Sequence, residues 1–152
     1  MFLAKEAGYI QDDRFPGYMQ VPSGHWLFTR SWFPEGKPPV ACCFIVPGAG
    51  AHGGHYEMPA KAMRESGIAV FAIDPLACGQ SDGEPGNIVG SGGSVEVVLE
   101  HLTFWFEATL ARHPEELAPL PNFCLGHSFG GVQLILAAMR SRSTWAQGGV
   151  IL

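Results

Sequence analysis

One serine lies in a sequence pattern typical of nucleophilic catalysis. Residues 126–130 read Gly-His-Ser-Phe-Gly, a G-x-S-x-G motif that follows a short apolar run and precedes a longer one. A nucleophilic serine must project from a strained strand-to-helix turn, and a glycine two positions to either side lets strand and helix approach closely. The amide of Phe129 would then point at the oxyanion formed when Ser128 attacks a carbonyl group. The motif predicts acyl transfer at Ser128. A packing turn without chemistry is the alternative.

A second glycine-rich loop competes for the functional assignment. Residues 48–53 read Gly-Ala-Gly-Ala-His-Gly, a G-x-G-x-x-G motif after an apolar run, and Asp74 closes the next apolar run. That spacing matches the acidic residue which binds the ribose in dinucleotide-binding Rossmann domains, where a helix N-terminus receives the pyrophosphate. Two features count against this alternative. The motif strand should open such a fold, but two predicted strands precede it, and Pro47 stiffens a turn that glycines normally shape.

One fold, that of the α/β-hydrolases, accounts for both glycine-containing motifs. An α/β-hydrolase takes its second oxyanion-hole amide from the loop that follows its third strand. Residues 47–54 follow the third predicted strand of this chain. The amides of Ala49 and Phe129 would therefore form the oxyanion hole, and the glycine-rich loop would need no nucleotide.

The remaining pattern predicts alternating strands and helices. Val95, Val98, Leu99, Leu102, Phe106 and Leu110 recur at the spacing of an amphipathic helix. Such alternation favours right-handed crossovers and a mostly parallel sheet, and a hairpin at the start adds an antiparallel edge. Residues 1–17 are predicted to be irregular, and residues 82–93 form a long loop. The predicted strands are 18–21, 25–33, 40–46, 68–73, 122–125 and 148–152, and the predicted helices are 56–66, 94–112 and the segment after the G-x-S-x-G turn to about 139.

Composition narrows the functional classes. The 152 residues are 47% hydrophobic, and a net charge of −5 without a basic stripe predicts no nucleic-acid partner. The apolar run 40–46 is too short to span a membrane, and the N-terminus lacks an apolar stretch like a signal peptide. These features predict a cytoplasmic protein, with contact to a membrane surface left open. The four cysteines form no C-x-x-C pair, so we expect reduced core residues and no metal or other cofactor.

Three sequence blocks resemble the monoacylglycerol lipase-like branch of the α/β-hydrolases, which includes serine aminopeptidases and lysophospholipases. They are residues 47–56 (Pro-Gly-Ala-Gly-Ala-His-Gly-Gly-His-Tyr), 74–84 (Asp-Pro-Leu-Ala-Cys-Gly-Gln-Ser-Asp-Gly-Glu) and 126–131 (Gly-His-Ser-Phe-Gly-Gly). The resemblance runs from about residue 18 to the C-terminus. It implies that Ser128 is the nucleophile, that Ala49 and Phe129 supply the oxyanion hole, and that the substrate is a small acyl ester or a lipid. It implies nothing about the oligomeric state.

This sequence departs from the branch at several positions. Pro47 replaces the usual His, and residues 77–79 read Ala-Cys-Gly where the family has Gly-His-Gly. Neither change removes an amide that the oxyanion hole needs. Ala51 and His55 stand where monoacylglycerol lipase carries a Glu and an Arg that help to hold the glycerol head. These two residues are therefore the candidate substrate-binding positions, and preference for monoacylglycerols is not implied.

The resemblance also implies a triad whose acid and base follow the serine along the chain. Residues 129–152 contain no Asp, Glu or His. Upstream residues are poor substitutes: His52 and His55 lie in the oxyanion loop, Asp74 and Asp82 are expected to support loops, and His25, His101 and His113 to be surface or strand residues. We therefore expect residues 18–152 to be the N-terminal part of an α/β-hydrolase domain, ending at about the sixth strand and inactive alone. A non-catalytic protein of the same fold is the alternative.

Overall fold

A six-stranded sheet organises the chain. The computed structural model describes residues 17–140 and 150–151. The strands are β1 (Tyr18–Gln20), β2 (Trp26–Trp32), β3 (Ala41–Val46), β4 (Ile68–Ile73), β5 (Asn122–Gly126) and β6 (Val150–Ile151). Their order in the sheet is β1-β2-β4-β3-β5-β6, and the last four of these strands run parallel while β1 and β2 add an antiparallel edge, as predicted.

Helices cover both faces of this sheet. The predicted helices are present with ends shifted by one or two residues, and a short one-turn helix, α3, was not predicted. The helices are α1 (Glu57–Glu65), preceded by a 3₁₀ turn (Gly53–Tyr56), then α2 (Val95–Arg112), α3 (Pro114–Leu117) and α4 (Phe129–Arg140). Of the predicted irregular segment 1–17, only Gly17 is described, and of the predicted strand 148–152 only the two residues of β6 are described.

Alternate side chains of the central strand enter two separate cores. All six residues of β3 are buried. Phe44 packs in the core with residues of α2 and α4, while Ile45 packs in the core with Ala60 of α1. The Phe44 ring lies 4.8 Å from the ring of Phe106 and 5.4 Å from that of Trp105. A strand buried on both faces explains why its sequence is uniformly apolar.

The four cysteines serve as small core residues. All four are free and buried, as the sequence predicted. Burial raises the pKa of Cys42 and of Cys124 to about 12 and that of Cys43 to about 11. These three thiols therefore stay protonated at neutral pH and are poor nucleophiles, since the thiolate is the reactive form.

A buried histidine of α2 forms a hydrogen bond with the β1–β2 hairpin. The hydroxyl of Ser23, in the β1–β2 turn, lies 2.6 Å from Nε2 of His101 and 2.8 Å from Nδ1 of His25. His101 is only 3% exposed. The expectation that His101 is a surface or strand residue is therefore wrong, because it lies in α2 and its side chain turns towards the hairpin rather than towards solvent.

Protonation of His101 is expected to loosen this attachment. Burial, assisted by the nearby His25, lowers the pKa of His101 to about 4. An unfolded histidine titrates near 6.5, so the folded state binds fewer protons between these values and stability falls as the pH drops from about 6.5 to 4. We expect a loss on the order of 2 kcal/mol of unfolding free energy from this residue across that interval.

Urea denaturation at pH 7 and pH 4.5 tests this expectation. His101→Gln should reduce the difference in unfolding free energy between the two pH values, whereas His55→Gln, at an exposed position, should leave the difference unchanged. Equal acid sensitivity of the His101 variant and the original protein would show that other groups cause the effect.

Candidate active site

Ser128 occupies a strained backbone conformation at the junction of β5 and α4. Its φ is 52°, in the left-handed region that side chains other than glycine rarely adopt. Among the described non-glycine residues, only Ala77 shares this feature. The conformation costs about 1–2 kcal/mol. Ser128 is exposed, so the strain presents its hydroxyl group to solvent at the N-terminal end of a twelve-residue helix.

Two flanking glycines make the sharp turn sterically feasible. A Cβ atom on Gly126 would lie 2.5 Å from Cα of Gly131, on the first turn of α4. A Cβ atom on Gly130 would collide with the carbonyl oxygen of Val46 and lie 2.5 Å from that of Pro47. These close approaches are the physical reason for glycine two residues before and two residues after Ser128.

The loop after β3 lies directly against this turn. A Cβ atom on Gly48 would be 3.3 Å from Cβ of Ser128 and 3.1 Å from the carbonyl oxygen of His127. Residues 48–51 form a turn in which the amide of Ala51 donates to the carbonyl oxygen of Gly48 at 3.1 Å. Gly50 supplies the positive φ, 71°, that the third position of a type II turn requires. The two glycine-rich motifs of the sequence thus meet at Ser128.

Two amides beside Ser128 are available for a ligand. Two other amides of the loop are already occupied: that of Gly48 donates to the Tyr56 phenol, and that of Gly50 donates to the Cys78 thiol. Burial raises the pKa of both acceptor groups, and these hydrogen bonds oppose that rise. Within residues 17–140, the amide of Ala49 has no hydrogen-bond partner, and neither does that of Phe129 at the start of α4. Both residues are exposed. One amide without a partner therefore directly follows Ser128 in the chain, and the other directly follows Gly48, which lies against Ser128.

A buried carboxylate holds the loops around the site in place. Asp74, at the end of β4, is fully buried and pairs with the guanidinium of Arg30 on β2. Its Oδ1 also accepts from the amide of Gly53 at 2.8 Å, and its Oδ2 accepts from the amide of Gln80 at 2.9 Å. A carboxylate occupied on both oxygens and closed to solvent cannot bind a ribose. The dinucleotide alternative for Asp74 is therefore wrong, and its expected role in supporting loops is confirmed.

No histidine among the described residues makes a hydrogen bond with the Ser128 hydroxyl group. Nδ1 of His52 accepts from the amide of Gly54, and its ring lies 4.0 Å from that of His55. His127 points towards Tyr56, with ring centres 6.3 Å apart. Of the candidate residues, Ala51 is half-buried in the loop after β3, and His55 is exposed in the 3₁₀ turn that follows it.

Residues 17–140 contain neither a metal-binding cluster nor a membrane-spanning helix. No group of three or more His, Cys, Asp or Glu side chains within residues 17–140 is arranged to hold a metal ion. None of the helices described there is both long and apolar enough to cross a bilayer.

The side chain of Asp82 accepts a hydrogen bond from the amide of Trp26 at 2.7 Å, so this carboxylate supports the hairpin.

Two substitutions that both remove the Ser128 hydroxyl group measure the backbone strain at this position. Ser128→Gly relieves the positive φ, whereas Ser128→Ala retains it. Glycine also increases the entropy of the unfolded chain by about 0.4–1 kcal/mol, which offsets part of the 1–2 kcal/mol relieved. We expect the glycine variant to be more stable than the alanine variant by about 0.5–1 kcal/mol in urea denaturation. A less stable glycine variant would contradict the strained conformation.

Comparison with known proteins agrees with this geometry. Residues 37–152 match the family model described as serine aminopeptidase, S33. Monoglyceride lipase of Rattus norvegicus is 36% identical over 129 residues, which cover 85% of this chain and 39% of the relative. Monoglyceride lipase of Homo sapiens is 37% identical over 115 residues, which cover 76% of this chain and 35% of the relative. The chain therefore spans well under half the length of the curated relatives that it matches.

Solved structures share the fold at lower sequence identity. A soluble variant of monoglyceride lipase from Saccharomyces cerevisiae superposes with a TM-score of 0.72 at 18% identity, covering 93% of this chain and 46% of the other. A thermostable carboxyl esterase from Bacillus coagulans superposes with a TM-score of 0.69 at 21% identity, and the match covers 89% of this chain and 42% of the esterase. The predicted α/β-hydrolase fold is thus confirmed, and the chain belongs to the serine aminopeptidase S33 family.

Proposed function

We propose that this chain carries the nucleophile and the oxyanion hole of a serine ester hydrolase. The observation that carries the proposal is the strained, exposed Ser128 lying against a loop with a free amide at Ala49, and next to a second free amide at Phe129. Donors fixed in advance at the position of developing charge are usually a large part of catalysis. The N-terminal end of α4 adds a favourable partial positive charge.

The proposed reaction is acyl transfer through a covalent intermediate. The oxygen of Ser128 attacks the ester carbonyl carbon and passes its proton to a histidine base, while the amides of Ala49 and Phe129 hold the oxyanion. The tetrahedral intermediate expels the alcohol, which takes the proton from that base, and leaves an acyl-serine. Water then attacks the acyl group, and the carboxylic acid and free Ser128 are released.

We propose further that the triad acid and base come from outside the described residues, in a longer hydrolase. Residues 129–152 supply no Asp, Glu or His, and the chain covers 39% of its rat relative. Residues Val132, Ile135 and Met139 of α4 are 46%, 41% and 78% exposed. Such a row of apolar side chains is typical of a face that packs against further structure.

The substrate class that fits best is a lipid ester or a small acyl ester. Relatives named monoglyceride lipase support this choice. Ala51 and His55 lie on the loop beside Ser128 and would contact the alcohol side of the ester. Because neither matches the Glu and Arg of monoacylglycerol lipase, we propose a broader ester preference. A cytoplasmic location, with contact to a membrane surface where lipid substrate lies, accords with this substrate class.

Labelling and turnover together test the proposed function. The intact protein is expected to react with a fluorescent fluorophosphonate and to hydrolyse p-nitrophenyl esters, and Ser128→Ala should abolish both. A polypeptide of residues 1–152 alone should show no turnover, because a serine without a base keeps only the residual effect of the oxyanion hole and binding. Absence of labelling and turnover in the intact protein would favour a non-catalytic member of the fold. Labelling of the 152-residue chain at the rate of an intact esterase would contradict the proposed need for further residues.

A further inference from the structure

The loop after β3 is bound by side chains at the two amides on either side of Ala49. The amide of Gly48 donates a hydrogen bond to the phenol oxygen of Tyr56, and the amide of Gly50 donates one to the thiol of Cys78. Between them, the amide of Ala49 has no hydrogen-bond partner among the described residues. Two side chains from outside the turn therefore hold the peptide groups that flank the proposed oxyanion donor.

The carbonyl group of Gly48 fixes the direction of the Ala49 amide. A trans peptide group is planar, so the C=O of one residue and the N–H of the next point in opposite directions. The carbonyl oxygen of Gly48 accepts from the amide of Ala51 at 3.1 Å, which closes the turn. The N–H of Ala49 must then point away from this closing hydrogen bond, where it can meet a ligand.

The sequence of the turn does not by itself select its type. A type II turn differs from a type I turn in the orientation of the peptide group between its second and third residues, here Ala49 and Gly50. Glycine adopts negative and positive φ about equally well, so Gly50 permits both orientations. Its φ is 71°, and its amide is bound by Cys78. Because a flip of this peptide group would turn the amide away from the thiol, Cys78 favours the type II form.

Cys78 is itself held in place within the loop after β4. It is 7% exposed. Its amide donates to the carbonyl oxygen of Pro75 at 2.9 Å, and its carbonyl oxygen accepts from the amide of Ser81 at 3.1 Å. The preceding Ala77 has a φ of 62°, a conformation that strains a residue with a side chain. Strain of this kind persists where the surrounding structure requires it, and this strained turn carries the thiol that meets the loop after β3.

Tyr56 binds the loop from the end of the 3₁₀ turn that precedes α1. It is half-buried and packs against the core that contains Ile45 and Ala60. Gly48, whose amide it binds, lies against the nucleophile, because a Cβ atom on Gly48 would be 3.3 Å from Cβ of Ser128. The phenol therefore fixes where the loop begins relative to Ser128.

We propose that Tyr56 and Cys78 are positioning residues for the hydrolase reaction, which hold the Ala49 amide at the place where the oxyanion develops. The proposal rests on the proposed function and deepens it by naming the side chains on which the oxyanion hole depends. Neither side chain has to contact the reacting atoms in this role. They act by fixing the donor in advance, so that no rearrangement is needed when the charge develops.

Removing either acceptor should lower kcat and leave KM nearly unchanged. Tyr56→Phe and Cys78→Ala each delete one hydrogen bond to the loop, and we expect kcat of the intact protein for p-nitrophenyl acetate to fall about three- to tenfold in each. KM should change less than about twofold, because the oxyanion donor acts mainly in the transition state. Cys78→Ser retains an acceptor and should recover most of the activity lost in Cys78→Ala. Tyr18→Phe is the matched control, because it removes a phenol hydroxyl group from β1, and its kcat should stay unchanged.

A double-variant cycle distinguishes positioning from a general structural effect. Ala49→Pro lacks the amide, so adding Tyr56→Phe or Cys78→Ala to it should lower kcat further by less than about twofold. A loss in the proline background as large as that in the original protein would overturn the proposal, and so would unchanged kcat in both single variants.

The controls keep the positioning role separate from folding and from the proposed function. Circular dichroism identifies a variant that does not fold, and the other side chain then supplies the result. Turnover by the original intact protein without the expected losses would overturn the positioning role alone. Absence of turnover in the original intact protein would reject the proposed function, and the positioning role with it.

Discussion

Replacing Asp74 by Asn is expected to lower the free energy of unfolding by about 3–5 kcal/mol. The substitution keeps the size of the side chain but removes the carboxylate charge that pairs with the guanidinium of Arg30, which is 1% exposed. It also places an amide where the backbone groups of Gly53 and Gln80 donate hydrogen bonds. Urea denaturation followed by circular dichroism measures the change.

Two further variants separate the buried ion pair from a general effect of charge. Lys61→Met removes an exposed pair in which Nζ lies 2.5 Å from the carboxylate of Glu57, and it should cost less than about 1 kcal/mol. The double variant Arg30→Met, Asp74→Leu should recover part of the stability lost in Asp74→Asn, because no charge is left buried alone. A loss below about 1 kcal/mol in Asp74→Asn would contradict the role given to this pair.

Ala49→Pro should lower kcat by about 10²–10³ while the fold is kept, as is usual when one oxyanion donor is removed. Proline lacks the amide hydrogen, and it is favoured at the second position of a type II turn, the position of Ala49 in residues 48–51. Ala49 is exposed, so the ring has room. Ester hydrolysis by the intact protein and its circular dichroism spectrum measure the two effects.

A second substitution at the same position serves as the control. Ala49→Ser changes the side chain but retains the amide, so its loss of kcat should be far smaller than that of the proline variant. If both variants lost activity equally, the side chain rather than the amide would be responsible. If the proline variant kept its activity, the Ala49 amide would have no part in the oxyanion hole.

The turn that carries Ser128 was predictable because its signals are local. Gly126 and Gly130 indicate a close approach of strand and helix, because the structure leaves no space for a side chain at either position. Ser128 between them has the positive φ that such a turn imposes. The apolar run that forms β3 likewise predicted a strand buried on both faces, and it is. In each case the physical constraint acts within a few residues of the pattern.

The supporting interactions were not predictable in the same way. Arg30 and Asp74 are 44 residues apart, and Ser23 and His101 are 78 residues apart. Neither pair shows a spacing that indicates contact, because sheet pairing and helix packing bring them together. Arg30 within a predicted strand of largely apolar and aromatic residues was a hint in the sequence, since a buried charge needs a partner.

The structure of the intact protein after reaction with a fluorophosphonate tests the central claim most directly. The phosphonyl group forms a covalent bond to the serine oxygen and carries an oxygen in the place of the oxyanion. We predict an adduct on Ser128 whose phosphonyl oxygen lies about 2.7–3.1 Å from the amide nitrogens of both Ala49 and Phe129. An adduct on another residue, or a phosphonyl oxygen turned away from both amides, would contradict the account.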